Sequence, residues 1–246
     1  MNETNQDQLT KEEMYVIDAI KESLSTNVSI LESSFSGIPY NSFTKIFNLI
    51  RHEIDDSKFS TFVDVIKSWK SDFLVEESLK AIVLSKLQGK KESSACTIFS
   101  LKELAKSKPS QLCHNVLIPL LTDESFDFTD VELISSLYDT LPTPQKDLII
   151  LSLTKKDKIE ESDWQFLHSM VKQLSSSGVV NIVECVRKWS NKFTKSQVFG
   201  KFLVNLCKNL NSFNDTDTIS FVIEKHETIF KRQALKYLQE KLSVKF

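Results

Sequence analysis

Apolar residues recur along most of the chain at the i, i+3, i+4, i+7 spacing that lines one face of an α-helix. The clearest runs are Phe59–Trp69, Trp164–Leu174 and Val198–Leu206. No run of comparable length alternates between apolar and polar positions, as a half-buried strand would. The pattern therefore predicts an all-α fold without a β-sheet.

Polar residues mark where several of these helices are expected to begin and end. Segments with the S/T-x-x-E/Q form of a capping box, in which the hydroxyl and the acid or amide satisfy each other's backbone N–H groups, start at Thr10, Thr129, Ser162 and Thr194. Pro109 suits the first turn of a helix, because its missing N–H would have no partner there. Gly89 and Gly178 follow periodic segments, so we predict that they end helices.

The spacing of the predicted starts indicates an architecture. The last three lie 33 and 32 residues apart, with room for one more helix at 144–153 and at 179–191. A further interval reaches 227–228, where the final helix is expected. Two helices in about 33 residues are typical of stacked helical hairpins. We predict an elongated α-solenoid of HEAT-like hairpins over 31–246, preceded by a polar segment, 1–30, with one short helix. An irregular helical domain is the alternative.

Residues suited to catalysis or ligand binding are scarce. Only 4 of the 246 residues are glycine, which leaves little material for Gly-rich phosphate-binding loops. The polar start and the absence of a long apolar stretch favour an intracellular protein. The cysteines lack metal-site spacing and are expected to be buried small hydrophobes. They are Cys96, Cys113, Cys185 and Cys207, and the equally dispersed histidines are His52, His114, His168 and His226. We predict no catalytic, cofactor-binding or metal-binding residues, and no enzyme activity.

Charge is distributed unevenly along the chain. Residues 1–140 carry 14 Lys/Arg and 22 Asp/Glu, whereas residues 141–246 carry 17 and 11. Nucleic-acid-binding proteins usually concentrate their basic residues in a stripe, and these residues are spread along the chain, so direct nucleic-acid binding is not expected. Near the carboxyl terminus, Phe230 is followed by Lys231 and Arg232, a composition suited to an aromatic anchor with a charged rim in a protein interface. The alternative for Phe230 is a core or staple position.

Three segments carry a resemblance to a known family. They are Ser94–Leu121 (SACTIFSLKELAKSKPSQLCHNVLIPLL), Lys155–Leu174 (KKDKIEESDWQFLHSMVKQL) and His226–Gln239 (HETIFKRQALKYLQ). In helix order, helix length and the final Thr-x-Phe-x-Arg/Lys segment, the chain from about residue 30 resembles the C-terminal helical-repeat domain of the Fanconi anaemia group E family.

This resemblance implies a nuclear, non-enzymatic adaptor subunit of the Fanconi anaemia core complex, a ubiquitin ligase for DNA interstrand-crosslink repair. Its partners would be the group C subunit and the substrate protein that the complex monoubiquitinates. The terminal phenylalanine of the family's substrate-binding surface would fall on Phe230, with the basic pair on Lys231 and Arg232. Neither a small molecule nor a membrane is an expected partner.

Two other functions remain open. One is a generic α-solenoid scaffold of another assembly, such as a proteasome-lid or transport complex, which would not recover the group C subunit in a pull-down. The other is a nucleic-acid-binding helical-repeat protein that uses the basic half of the chain, which would bind with steeply salt-dependent affinity.

Overall fold

The structure is a computed structural model that describes residues 9–26, 32–88, 92–123, 130–209 and 216–243. Within these ranges every regular element is a helix and no residue lies in a strand, which confirms the all-α prediction. The helices form two compact units, and the change from the first to the second falls between Val116 and Leu117.

The first unit is built around buried aromatic rings. Its α-helices are α1 (Lys11–Thr26), α2 (Tyr40–Ile50), α3 (Asp56–Ser68), α4 (Asp72–Ser78), α5 (Ser85–Leu87), α6 (Ala95–Ser107) and α7 (Pro109–Leu112), with a π-helical segment, Leu79–Leu84, joining α4 to α5. Helix α1 packs on α2 and α3, α2 on α4, and α3 on α6. Trp69 is buried with Phe35 and Phe47, whose ring centroids lie 5.2 and 6.2 Å from that of the tryptophan.

The amino-terminal helix α1 belongs to this packing. Its capping box is confirmed, because Thr10 N–H donates to Glu13 Oε2 at 2.8 Å and Glu13 N–H donates to Thr10 Oγ1 at 3.1 Å. Val16, Ile20 and Leu24 are buried. The domain boundary at residue 30 stays a prediction.

In the second unit, alternate helices pack against one another. These helices are α8 (Ile118–Thr122), α9 (Val131–Thr140), α10 (Thr143–Thr154), α11 (Glu161–Met170), α12 (Ser176–Trp189), α13 (Gln197–Asn209), α14 (Thr216–Lys225) and α15 (Phe230–Ser243). Helices α9, α11, α13 and α15 pack in sequence, and so do α8, α10, α12 and α14. The helices predicted over 144–153, over 179–191 and at the end of the chain are present as α10, α12 and α15.

The connections after α10, α12 and α14 lie along the same edge of this unit, which we call the turn edge. Trp164, in the first turn of α11, has its ring centroid 5.7 Å from that of Phe193, in the turn before α13. Glu227 N–H, in the turn before α15, donates to the carbonyl of Thr194 at 2.8 Å. The connection after α11 lies at the opposite edge, where the Gln173 side chain bonds to Asp139 and Lys146.

Two predicted helix starts are wrong by two residues. Helix α11 is capped by Glu160 rather than Ser162, because the Asp163 carboxylate accepts from Glu160 N–H at 2.8 Å and is held by Lys156 Nζ at 2.9 Å. Helix α13 is capped by Ser196 rather than Thr194. Thr129 lies outside the described residues, whereas Pro109 does stand in the first turn of a helix, as predicted.

Gly178 does not end a helix, contrary to the prediction. It lies in the first turn of α12, where its N–H donates to Ser175 Oγ at 3.0 Å, because Ser175 caps that helix. Gly89 lies outside the described residues. Among the described glycines, Gly37 has a left-handed backbone, with φ of 85°.

The cysteine prediction holds for three residues and is wrong for the fourth. Cys113, Cys185 and Cys207 are buried, and burial raises the pKa of each thiol to about 12. Cys96 is exposed, because it lies on the outer face of the first turn of α6.

Candidate functional site

The predicted partner-binding residues form the first turn of α15, at the turn edge of the second unit. Phe230 is half-buried, because its ring lies against Gly200 of α13: a Cβ added to that glycine would be 3.0 Å from Phe230 Cδ2. The ammonium of Lys201 lies 6.0 Å from the centroid of the same ring. Phe230 therefore packs on α13 with one part of its ring and is exposed with the other.

The two basic residues that follow Phe230 have different surroundings. The Lys231 ammonium donates to the carbonyl of Glu224, near the carboxyl end of α14, and the residue is half-buried. A cation is favourable there because helix carboxyl ends carry partial negative charge. Arg232 is exposed. Of the pair, Arg232 is thus the residue whose charge faces solvent.

Ile229 is the most exposed apolar residue of this turn. Its side chain is 83% exposed, although it directly precedes Phe230. Sequence reasoning missed Ile229 because the periodic pattern assigned the apolar role to its neighbour. The sequence does contain a signal that Ile229 is exposed. Residues four positions apart are neighbours on a helix surface, and the residue four positions after Ile229 is the polar Gln233, so Ile229 has no apolar partner there.

A buried histidine supports this turn from below. His226 is 2% exposed, and its Nε2 lies 2.6 Å from Thr228 Oγ1, at hydrogen-bonding distance. The Thr228 hydroxyl also accepts from Phe230 N–H at 3.4 Å. Burial lowers the pKa of His226, with a smaller contribution from Lys231 in the same direction. The ring is therefore neutral at pH 7, and the turn is fixed by side-chain and backbone bonds.

A second exposed ring lies on the preceding helix. Phe221 of α14 is 56% exposed, and the ammonium of Lys225 lies 4.1 Å from its ring centroid. Such a cation–π contact covers one part of the ring and leaves the rest accessible. Helices α14 and α15 thus both present apolar surface next to a cation.

The described residues contain no group of three His, Cys, Asp or Glu side chains that could hold a metal ion. No described helix is both long and apolar enough to cross a membrane. As expected from the sequence, Cys113 is buried and its neighbour His114 is exposed.

No known protein-family model matches the chain, and comparison with curated proteins gives no match either. The geometry of the turn before α15 is therefore the main support for a function.

Proposed function

We propose that this chain is a non-enzymatic adaptor subunit of the Fanconi anaemia core ubiquitin-ligase complex. In this proposal it acts in the nucleus, binds the group C subunit and recruits the protein that the complex monoubiquitinates during interstrand-crosslink repair. The observation that carries the proposal is the fixed turn 226–232, which presents the exposed Ile229 beside the exposed Arg232.

The packing of alternate helices in the second unit supports the finer architecture that we propose, a solenoid of HEAT-like hairpins. In such a solenoid each hairpin contacts its neighbours, and function comes from the surface that the stack presents. Turns along one edge are then displayed side by side. An adaptor needs a surface of this kind, to which different proteins can bind at different turns.

The chemistry of the turn suits a protein partner. Removing an isoleucine side chain from water stabilises a complex by roughly 1.5–3 kcal/mol. Arginine is enriched among the residues that contribute most to protein interfaces, and exposed charges suit the rim. Because His226 and Thr228 hold the turn in place, little conformational freedom is lost on binding.

The test is a single substitution at the exposed position. Ile229→Glu should lower the affinity of the purified full chain for the substrate protein tenfold or more, as measured by isothermal titration calorimetry, and leave binding of the group C subunit unchanged. Val180→Glu is the matched control, because Val180 is also a partly exposed apolar residue of the second unit but lies in the first turns of α12, at the opposite edge.

Two results would contradict the proposal in different ways. If the unaltered chain binds neither the group C subunit nor the substrate protein, it is not this adaptor, and a scaffold role in another assembly becomes the better hypothesis. If Ile229→Glu binds the substrate protein as tightly as the unaltered chain does, the adaptor uses another surface.

A further inference from the structure

The turn between α12 and α13 carries a concentration of positive charge that the proposed function does not use. Residues 185–209 include six basic residues and no acidic one. All six are exposed: Arg187, Lys188, Lys192, Lys195, Lys201 and Lys208. The first four lie on the turn edge, and we call these four residues the basic turn.

Two of these cations are held over a buried aromatic ring. The ammonium groups of Lys188 and Lys192 lie 4.8 and 4.3 Å from the ring centroid of Trp189, which is 7% exposed. Neither lysine has an acidic ion-pair partner in the described part of the chain. The ring holds both charges against the same indole without neutralising them.

A third member, Lys195, has a partner that leaves most of its charge in place. Lys195 Nζ lies 3.7 Å from Glu227 Oε2, and both side chains are largely exposed, so the pair is weak. The fourth member, Arg187, donates to the Thr218 hydroxyl at 3.2 Å. Cations at the end of α12 also stabilise the helix, but a helix end carries only about half a negative charge. Several positive charges therefore remain for a ligand.

The surroundings of the charge indicate the class of anion. Residues 187–196 include no large apolar side chain that is exposed, so a protein partner would find no anchor there, and lysine is depleted in protein interfaces. The buried Trp189 offers no face on which an unpaired base could stack. Lysine ammonium groups on exposed stems suit phosphate oxygens, whose recognition needs charge rather than sequence.

We propose that the basic turn binds the phosphate backbone of duplex nucleic acid, with Lys188 and Lys192 as its principal contacts. The neighbouring connection after α10 adds Lys155 to the same edge, in a recess that Asp157 also lines. Lys156 and Lys158 line this recess too, but they are paired with Asp163 and Glu160. The expectation against nucleic-acid binding came from charge summed over each half of the chain, which hides the local run of cations between residues 187 and 195. This site is independent of the adaptor proposal, because Ile229 takes no part in it.

The test measures binding of the full chain to a fluorescein-labelled 20-base-pair DNA duplex by fluorescence anisotropy between 50 and 200 mM NaCl. With Lys188, Lys192 and Lys195 each contacting one phosphate, the slope of log K against log salt should be about −2.7, since each contact contributes about −0.9. The double variant Lys188→Ala/Lys192→Ala should reduce the magnitude of that slope by about 2 and weaken binding at 50 mM NaCl tenfold or more.

The matched control removes two exposed lysines from the opposite edge. Lys172→Ala/Lys208→Ala changes the net charge by the same amount but leaves the basic turn intact. If the position of the charge matters more than its total, the affinity of this variant for the duplex should stay within about twofold of that of the unaltered chain. Unchanged thermal unfolding of both double variants shows that neither result comes from loss of the fold.

Several outcomes would overturn the proposal. The first is that the unaltered chain does not bind the duplex at 50 mM NaCl. The second is that the control variant loses as much affinity as Lys188→Ala/Lys192→Ala does. The third is that the chain binds a single strand of the same DNA more tightly than the duplex. A polyglutamate peptide that displaces the duplex at equal charge concentration would instead assign the basic turn to an acidic protein segment.

Discussion

Two successive turns on one edge of the second unit rest on the same aromatic cluster and present opposite chemistry. The turn before α13 holds two cations over the buried ring of Trp189 and exposes no large apolar side chain. The turn before α15 contains the buried His226 and presents Ile229, which is exposed to solvent. The two turns thus share a buried aromatic cluster. They differ in their exposed side chains, which decide whether a turn suits phosphate or protein.

The shared support is a chain of ring contacts. The Trp164 centroid lies 4.6 Å from that of Phe199, which in turn lies 5.8 Å from the His226 ring. Because Phe193, in the turn before α13, also contacts Trp164, we expect both turns to depend on the tryptophan. The most direct way to test the comparison is to remove that common support.

Trp164→Ala should have the largest effect. Deleting a fully buried tryptophan costs about 3–5 kcal/mol of unfolding free energy, because contacts are lost and a cavity is left. Urea unfolding followed by circular dichroism measures the change, with Phe99→Ala, at an exposed position of the first unit, expected within about 0.5 kcal/mol of the unaltered chain. If both turns depend on Trp164, the variant loses binding to DNA and to protein together. Loss of only one would show that the turns are supported separately.

Gly200→Ala should have the next largest effect and should act on the turn before α15. A Cβ at this position would lie 2.5 Å from His226 Nε2 and 2.7 Å from Thr228 Oγ1, so the turn would have to move. Overpacking of this kind costs about 1–3 kcal/mol.

The control for this change is Gly178→Ala, at the other helical glycine. Its nearest contact would be the end of the Leu174 side chain at 3.2 Å, which can shift, so we expect a change within about 0.5 kcal/mol. Thermal unfolding compares the two variants. Equal melting temperatures would show that the close approach at Gly200 does not constrain the turn.

Phe230→Ala and Ile229→Ala distinguish the residue that stabilises the turn before α15 from the residue that contacts the partner protein. The half-buried ring of Phe230 should contribute about 1 kcal/mol to stability, whereas truncation of the exposed Ile229 should change stability by less than about 0.5 kcal/mol.

Chemical denaturation compares these two variants, and titration with the substrate protein gives their affinities. If Phe230→Ala weakens binding more than Ile229→Ala without any loss of stability, the phenylalanine is the anchor after all.

The fold was predictable where local periodicity and burial agree. Every member of the run Phe59, Phe62, Val63, Ile66 and Trp69 is buried, because a helix of this pattern can remove those side chains from water only on one face. Helix starts were less predictable. Near α11 both Glu160 and Ser162 can cap a helix, and the choice depends on the pair between Lys156 and Asp163, which forms only in the folded chain.

The candidate sites were harder to predict for a related reason. The turn that carries Ile229 is held by the close approach of His226 and Phe230 to Gly200, which lies far away in sequence. The basic turn, by contrast, was visible as a stretch without acidic residues. Its importance emerges only when the fold shows that Trp189 is buried beneath Lys188 and Lys192.

The smallest expected effect is a pH dependence that belongs to the turn before α15 and not to the basic turn. Burial lowers the pKa of His226 below the value of about 6.5 that the residue has when unfolded, and the nearby Lys231 lowers it further while Glu227 opposes them. As the pH falls below 6.5, the unfolded chain therefore binds more protons than the folded one, and the free energy of unfolding decreases until the folded-state pKa is passed.

Above pH 6.5 this contribution is fully present, so stability should be level there and decline towards pH 5. His226→Gln should make the decline shallower in urea titrations from pH 5.0 to 7.5. Burial also lowers the pKa of His168, and a hydrogen bond from Ser42 lowers the pKa of Glu13, so part of the decline should remain in this variant. An unaltered slope in His226→Gln would mean that this buried histidine can be protonated without disturbing the turn, and the fixed turn of the adaptor proposal would then need another support.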